Sequence, residues 1–335
     1  MINHDFLGIF TFILGTLAIF SIALFFYISF PKIKIYFTKI PKNILLLLFI
    51  LLLFSTYIKV FIYPHYFVMY LDDYYPLELA NRIVHSDFNN LNHMFIANGL
   101  LFVPAFLIFG VHFQLGIYTM IFLSILSLIC FFLFSSLLTK NYWVALIATI
   151  LLAFNNSHVF YSISTYNHTP TFFFIMLTLF AFFLYLRFDY KYNFYLALSS
   201  FFYLILFRVE MLVLVPFLFF LHVKHKKKKL KKFETWFPWG IFFIAVALTF
   251  LKNISYFSNL TSNSKVWDMS FSNFYENITT HLLELLSLNI FLVVLFITGF
   301  LFIIYKKDWT FLLIFGSSLF FILFYLSINY SHISG

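Results

Sequence analysis

Long apolar runs separated by short polar stretches dominate the 335-residue chain. The runs are continuously apolar rather than alternating, which favours membrane-spanning helices and argues against a transmembrane barrel. Hydropathy predicts spans at 6–30, 44–62, 116–138, 142–157, 168–187, 194–207, 209–223, 237–251, 286–304 and 309–328. The predicted fold class is therefore an all-α polytopic membrane protein with about ten transmembrane helices.

Two segments between the second and third predicted spans have a weaker hydrophobic pattern than the spans themselves. Residues 95–112 are apolar, but Asn98 and Pro104 interrupt the run, and we expect an interfacial or half-inserted segment. The residues after Asp73 predict an amphipathic helix that lies flat on the membrane. Its apolar stripe consists of Tyr74, Tyr75, Leu79 and Ile83.

Composition narrows the class of protein further. Apolar residues make up 63% of the chain and charged residues 10%, which excludes a single water-soluble globule. The chain has a single cysteine, Cys130, which lies in an apolar run. A disulfide framework and a cysteine metal cluster are therefore excluded. The chain has no Walker loop, GxGxxG motif or nucleophile elbow, so no nucleotide site is indicated.

The net charge of +9 follows the predicted topology. Lysines gather after the first span, between 224 and 232, and at 306–307. Placing these groups in the cytoplasm puts both termini outside. The outer side then carries loops 63–115, 158–167 and 252–285. We therefore expect a multi-pass plasma-membrane protein whose lysines lie beside anionic lipids, without a nucleic-acid partner.

The acidic pair Asp72–Asp73 follows closely on a predicted span, within reach of the bilayer surface. Adjacent carboxylates repel, which favours one protonated and one ionised group. Such a pair suits a general base for a substrate hydroxyl, or a site for a divalent cation. The alternative is a solvated loop start.

Arg208 and Glu210 stand between two apolar runs in the segment LFRVEMLVLVP. A guanidinium binds phosphate in a bidentate manner, and ionisable residues within membrane segments are candidates for function. Arg208 and Arg82 are the arginines that the topology places outside, so both are candidate phosphate ligands. The alternative is a structural Arg208–Glu210 pair that closes a helix corner.

The remaining candidates lie in the outer loops. Tyr166, Asn167 and His168 can hydrogen-bond a polar ligand, although a capped helix start with Pro170 in its first turn explains them equally. His158 and His168 lack the spacing of helical metal ligands, so no metal pair is predicted.

Three further side chains could face a phosphate at the membrane interface. His93 is one, with an ordinary interfacial histidine as the alternative. Lys252 and Lys265 lie in an aromatic-rich loop typical both of carbohydrate binding and of a membrane interface.

The order of these features resembles the GT-C class of integral-membrane glycosyltransferases, in the branch of the protein O-mannosyltransferases and the lipid A aminoarabinose transferase. The matching segments are LDDYYPLELA, LLFVPAFLIFG, STYNHTP and FRVEMLVLVP, in that order. The resemblance divides the chain into an extra helix and cytoplasmic loop at 1–43, a catalytic module at 44–285 and a transmembrane hairpin at 286–335.

The resemblance implies a function and roles for single residues. A sugar would move from a polyprenyl-phosphate donor to a protein, lipid or glycan acceptor on the outer face, with inversion at the anomeric carbon. Asp72 would be the catalytic base, with Asp73 beside it, and Arg208 would hold the donor phosphate. The chain departs from the family in the short second outer loop, where Asn167 and His168 replace an acidic residue. This replacement argues against a bound metal, and a divalent cation at the acidic pair stays an open alternative.

Two other functions remain open at this point. One is a polymerase or ligase that uses a polyprenyl-diphosphate glycan. The other is a lipid-glycan flippase or other transporter, for which paired repeats with broken helices are typical. The sequence has no convincing internal symmetry of that kind.

Overall fold

The computed structural model describes residues 4–62, 71–88, 96–165, 167–208, 211–212, 214–226 and 236–247. Every regular element within these ranges is helical, which confirms the all-α fold class. The helices are α1 (His4–Phe37), α2 (Lys42–Tyr57), α3 (Leu71–Val84), α4 (Ile96–Phe109), α5 (Phe113–Thr139), α6 (Tyr142–Ala153), α7 (Asn156–Ser162), α8 (His168–Phe188), α9 (Lys191–Phe207), α10 (Leu214–His225) and α11 (Trp236–Ala247). A π-helical turn at Ile58–Ile62 continues α2.

Within the described residues, four segments are long and apolar enough to cross a membrane. They are Ile9–Phe37, Lys42–Ile62, Phe113–Thr139 and His168–Phe188. A bilayer core of about 30 Å needs about 20 helical residues, and each segment meets that length. These helices indicate a membrane protein. The described residues do not establish the predicted number of about ten spans, and the predicted spans 286–304 and 309–328 lie outside them.

The predicted span at 142–157 is wrong as a continuous helix. Helix α6 ends at Ala153, and Asn155 begins a new helix, α7, by accepting a hydrogen bond from the backbone N–H of His158. Asparagine is a preferred N-cap residue because its side chain satisfies a free N–H of the first turn. Helix α7 therefore occupies much of the predicted loop 158–167.

Helices α3 and α4 pack against each other in the segment predicted as the first large outer loop. Leu79 and Ile83 of α3 are buried in a cluster with Leu100 of α4. The prediction that this stripe rests on the membrane is therefore wrong for Leu79 and Ile83, which pack on protein. Gly99 makes the contact close, because its Cα faces Pro76 and Leu79 without a side chain between them.

Helix α4 spans 14 residues, or about 21 Å. That length is shorter than the hydrocarbon core of a bilayer, as the prediction of a half-inserted segment at 95–112 requires. Tyr203 of α9 donates a hydrogen bond to the carbonyl of Ala97, 2.7 Å away, and so ties the start of α4 to α9.

A layered bundle forms the centre of this part of the chain. Helix α8 packs against both α5 and α9, and α9 packs in turn against α1. Aromatic rings fill the contacts, and Trp239 and Phe242 of α11 meet Phe194 and Phe201 of α9. The buried aromatic surface stabilises the bundle through area burial and edge-to-face ring contacts.

Cations and aromatic rings gather where α1, α5 and α8 end and α9 begins. Arg187 lies over the ring of Tyr36, whose hydroxyl hydrogen-bonds Ser136 at 2.7 Å. Lys32 lies over the ring of Tyr190. We call this layer the basic end. Lys32 and Lys34 were predicted to lie in a loop, but α1 continues to Phe37, because long lysine side chains can extend away from an apolar helix.

Helix α9 ends at Phe207, and the backbone of Arg208 is extended (φ −142°, ψ 97°). This confirms the predicted helix break at Arg208. The turn at 211–212 and α10 belong to a second compact unit. Within α10, Phe217, Leu218 and Leu221 are buried, and basic residues occupy the last turn.

Replacing Gly99 with valine tests the close packing of α3 on α4. A Cβ at Gly99 would lie 3.1 Å from the carbonyl oxygen of Pro76, whereas Gly240 in α11 has open space within 4 Å. We expect Gly99→Val to lower the free energy of unfolding by about 1–3 kcal/mol relative to Gly240→Val. Both variants replace a helical glycine with valine, so the change in helix propensity is the same in both and cancels in the comparison. Thermal unfolding in detergent measures the difference, and equal midpoints would contradict the packing.

Candidate functional site

Arg208 joins the end of α9 to the start of α8. Its Nη2 donates a hydrogen bond to Oδ1 of Asn167 at 2.8 Å and lies 3.5 Å from Nδ1 of His168. Asn167 occupies the N-cap position of α8, yet its side chain makes no cap hydrogen bond and accepts from Arg208 instead. Arg208 is thus brought into contact with Asn167 and His168, which the sequence singles out as a separate group.

A cavity of about 320 Å³ opens beside this contact, between α5, α6, α7 and α8. Its size is at the small end of ligand sites, which measure about 300–1,000 Å³. The described lining combines hydroxyl, imidazole and aromatic groups and contains no carboxylate. The lining residues are Ser127, Leu152, Asn155, His158, Tyr161, His168, Thr169, Thr171, Phe172 and Ile175.

A second polar cluster supports the wall of the cavity. Lys59, which is fully buried, lies in the π-helical turn after α2 and donates to Oγ of Ser124 at 2.5 Å. Its Nζ also lies 3.4 Å from Nδ1 of His158, while Nε2 of His158 lies 3.3 Å from Oγ of Ser127. The cluster therefore connects α2, α5 and α7 behind the cavity.

The hydrogen bonds of this cluster have a consistent direction. A lysine ammonium only donates, so Nδ1 of His158 accepts and Nε2 carries the proton toward Ser127. The Ser127 hydroxyl donates in turn to the carbonyl of Ser124 at 2.7 Å. Burial, and then the charge of Lys59, lower the pKa of His158 to about 3. His158 is therefore a neutral imidazole at physiological pH.

Four rings line the cavity as two facing pairs. His158 of α7 meets Phe172 of α8 edge-on, with centroids 5.9 Å apart, and Tyr161 of α7 meets His168 of α8 at 4.2 Å. We call these four residues the ring frame. Thr169 fixes the two helices together by donating to the carbonyl of Tyr161 at 2.7 Å.

The ring frame and the basic end lie at opposite ends of α8. His168 begins this helix, and Arg187 belongs to its last turn. Nineteen residues separate them, or about 28 Å along a helix, which is close to the thickness of a bilayer core. The cavity therefore lies about one bilayer core away from the basic end.

The predicted acidic pair lies in the first turn of α3. The structure describes the backbone of Asp72 and Asp73, and their side chains lie outside the described part. Pro76, four residues after Asp72, has no N–H to donate to the Asp72 carbonyl, which loosens the first turn. Leu77 and Thr165 both lie close to Gly116, so α3 packs near the segment that leads to Asn167.

The other predicted site residues are less connected. Tyr74 is exposed with its ring against Phe113, and Tyr75 is half-buried. Nε of Arg82 pairs with Oδ2 of Asp87 at 3.0 Å near the end of α3. The residues Tyr166, Glu210, His93, Lys252 and Lys265 lie outside the described residues. No group of three His, Cys, Asp or Glu able to hold a metal ion occurs among the described residues.

From the sequence, Lys59 is not identified as a candidate residue, and His158 is given a smaller role than in the structure. Lys59 is the one charged residue between 43 and 71, and an isolated charge within a membrane helix is a signal of function. His158 was considered only as a metal ligand. Its partnership with Lys59 and Ser127 depends on the packing of three helices, which no sequence spacing reveals.

The neutral state of His158 predicts a pH-dependent stability. An unfolded histidine has a pKa of about 6.5, so between about pH 6.5 and 3 the unfolded chain binds more protons than the folded one. The free energy of unfolding should then fall as the pH falls through this range, by at most about 1.4 kcal/mol per pH unit. Thermal unfolding from pH 7.5 to 4.5 should show a smaller decrease for His158→Gln than for the wild type. Superimposable pH profiles would contradict the assignment.

The cavity offers imidazole and hydroxyl groups and aromatic rings, with Arg208 in contact with its lining residue His168. Such a lining suits a ligand with both a polar ring and an anionic group. Comparisons of the chain with known protein families, with characterised proteins and with solved structures found no match.

Proposed function

We propose that this protein transfers a sugar from a polyprenyl-phosphate donor to an acceptor on the extracytoplasmic face of the membrane. One observation carries the proposal: Arg208 contacts Asn167 and also His168, which lines a cavity inside a bundle of apolar helices. A guanidinium at that position suits the phosphate of a membrane-bound substrate.

The position of the cavity across the thickness of the bilayer supports a lipid-linked donor. A polyprenyl phosphate keeps its tail in the hydrocarbon and its phosphate near the headgroups. The cavity lies about 28 Å from the basic end along α8, so a phosphate there would lie near the far surface of the bilayer. Lysine-rich ends of membrane helices favour the cytoplasm, which supports an extracytoplasmic location for that surface.

The lining of the cavity supports a sugar as the transferred group. Aromatic rings stack on sugar rings, and Tyr161 and Phe172 line the cavity beside Thr169 and Thr171. A volume of about 320 Å³ suits one sugar with its phosphate rather than a long glycan. Asn167 and His168 would contact the same sugar–phosphate group, with Tyr166, Tyr74 and Tyr75 as further candidates.

The proposed reaction is a single displacement. The acceptor hydroxyl attacks the anomeric carbon and loses its proton to Asp72. The bond from that carbon to the phosphate oxygen breaks, and its electron pair stays on the phosphate. Arg208 stabilises the charge that develops there. Attack opposite the leaving group inverts the anomeric carbon, and Asp73 or a divalent cation would assist at the acidic pair.

A transfer assay with a radiolabelled polyprenyl-phosphate sugar tests this proposal. We expect Asp72→Asn to lower the rate about 10²–10⁴-fold, because an amide cannot take up the proton. Arg208→Ala should lower it about 10²–10³-fold, because the leaving phosphate loses its cation. Retained sugar transfer in Asp72→Asn would rule out Asp72 as the general base. Movement of the lipid across the membrane without a new glycosidic bond would indicate a flippase.

Matched variants at the basic end control for folding. Asp189→Asn makes the same chemical change as Asp72→Asn, and asparagine tolerates the positive φ of 52° found there. Arg187→Ala removes an arginine of α8 from the contact with Tyr36. Both controls should keep transfer within about twofold of the wild type, since they lie at the opposite end of the helix from the cavity.

A further inference from the structure

We propose that the basic end binds the headgroup of an anionic phospholipid at the turn that joins α8 to α9. Three alternate residues of this turn are aromatic, and each of the three rings carries a lysine. The pairs are Phe188 with Lys39, Tyr190 with Lys32, and Tyr192 with Lys191. We call these six residues the lysine–ring site. Its ligand is a component of the bilayer and not a substrate, so the inference is independent of the proposed function.

The lysine–ring site is built from two separate parts of the chain. Lys32 belongs to α1 and Lys39 follows it closely, yet both lie over rings of the α8–α9 turn, 5.6 Å and 5.9 Å from the ring centroids. Oη of Tyr190 lies 3.5 Å from the carbonyl oxygen of Ile28 in α1. The rings of Tyr190 and Tyr192 meet edge to face, with centroids 5.3 Å apart. The packing of α1 on α9 therefore brings the lysines together.

The charges of the three lysines are not neutralised by a neighbouring carboxylate. Asp189 stands within the same turn, but among the described residues it forms no ion pair with any of these lysines. Lys39 and Lys191 are exposed, and Lys32 is half-buried. An ammonium group that lies over a ring has three N–H donors, and those that point away from the ring can bind an anion.

The aromatic rings indicate that the anion belongs to a membrane lipid. Tyrosine side chains are enriched at the membrane interface, where the headgroups lie. A lysine whose stem lies along such a ring holds its ammonium group at the level of the lipid phosphates. The predicted topology places the basic end at the cytoplasmic surface, where anionic lipids gather. Lysine binds phosphate as a point charge, so a headgroup with a phosphate and no cation, as in phosphatidylglycerol, suits the site.

Counting the lipids bound to the full-length protein by native mass spectrometry tests the inference. The protein in a neutral detergent is titrated with dioleoyl phosphatidylglycerol or with dioleoyl phosphatidylcholine, which has the same tails and phosphate but adds a cation. We expect phosphatidylglycerol to bind at least about tenfold more tightly, because the choline cation of the other lipid would meet three lysines. Equal affinities for the two lipids would overturn the inference.

Two matched variants of α1 distinguish the site from a diffuse basic surface. Lys32→Gln removes the charge over Tyr190 and should weaken phosphatidylglycerol binding about fivefold, which is the effect of one lysine near a membrane surface. Lys34→Gln makes the same change at an exposed lysine about 200° around the helix, which lies over no ring of the described residues. It should change the affinity by less than about twofold. An equal loss in both variants would overturn the inference.

Variants on α9 keep the test decisive if Lys32→Gln disturbs the packing of α1. Lys191→Gln changes an exposed residue at the start of α9 and should also weaken phosphatidylglycerol binding about fivefold. Tyr192→Leu keeps every lysine but removes the ring beneath Lys191, and should weaken binding at least about twofold. Wild-type affinity in Tyr192→Leu would show that net charge alone attracts the lipid, and the inference would fail.

Discussion

The buried hydrogen bond from Lys59 to Ser124 joins α2 to α5 and determines where the polar groups of the bundle meet. Within a bilayer, polar side chains have to find partners inside the protein. His158 and Ser127 complete the cluster, so the short helix α7 is held against α5. Helix α6 stops at Ala153 and leaves space between α5 and α8. The cavity forms in this space, beside the position at which α7 is held.

The basic end of the bundle holds its cations in a different way. Cations there lie over aromatic rings, as Arg187 does over Tyr36 and Lys32 over Tyr190. Long side chains of this kind can lie along apolar surface while their charges stay at its edge. The two ends thus differ in chemistry, with hydrogen-bonded cations at the cavity and ring-stacked cations at the basic end.

Helix positions were largely predictable because apolar runs of sufficient length have few alternatives in a membrane. The helix break at Arg208 was predictable too, since a charge between two apolar runs is costly within a bilayer. The division of 142–157 was not, because it depends on the side chain of Asn155 capping α7. Arg208, Asn167 and His168 were each found from chemistry, but their meeting depends on the packing of α8 against α9. The charge of Lys59 within an apolar run was a signal of function, but its contacts with α5 and α7 depend on packing that the sequence does not show.

The π-helical turn at Ile58–Ile62 has a consequence for how this chain tolerates insertions and deletions. A π turn holds one residue more than an α turn, because its hydrogen bonds connect residues five apart instead of four. The extra residue is taken up within the π turn itself, so removing one residue from Ile58–Ile62 would restore α geometry and leave the residues on either side in nearly the same rotational register. The same deletion within an ordinary turn of α2 would rotate its two sides by about 100° against each other, so the π turn is the place where this helix tolerates the loss of one residue.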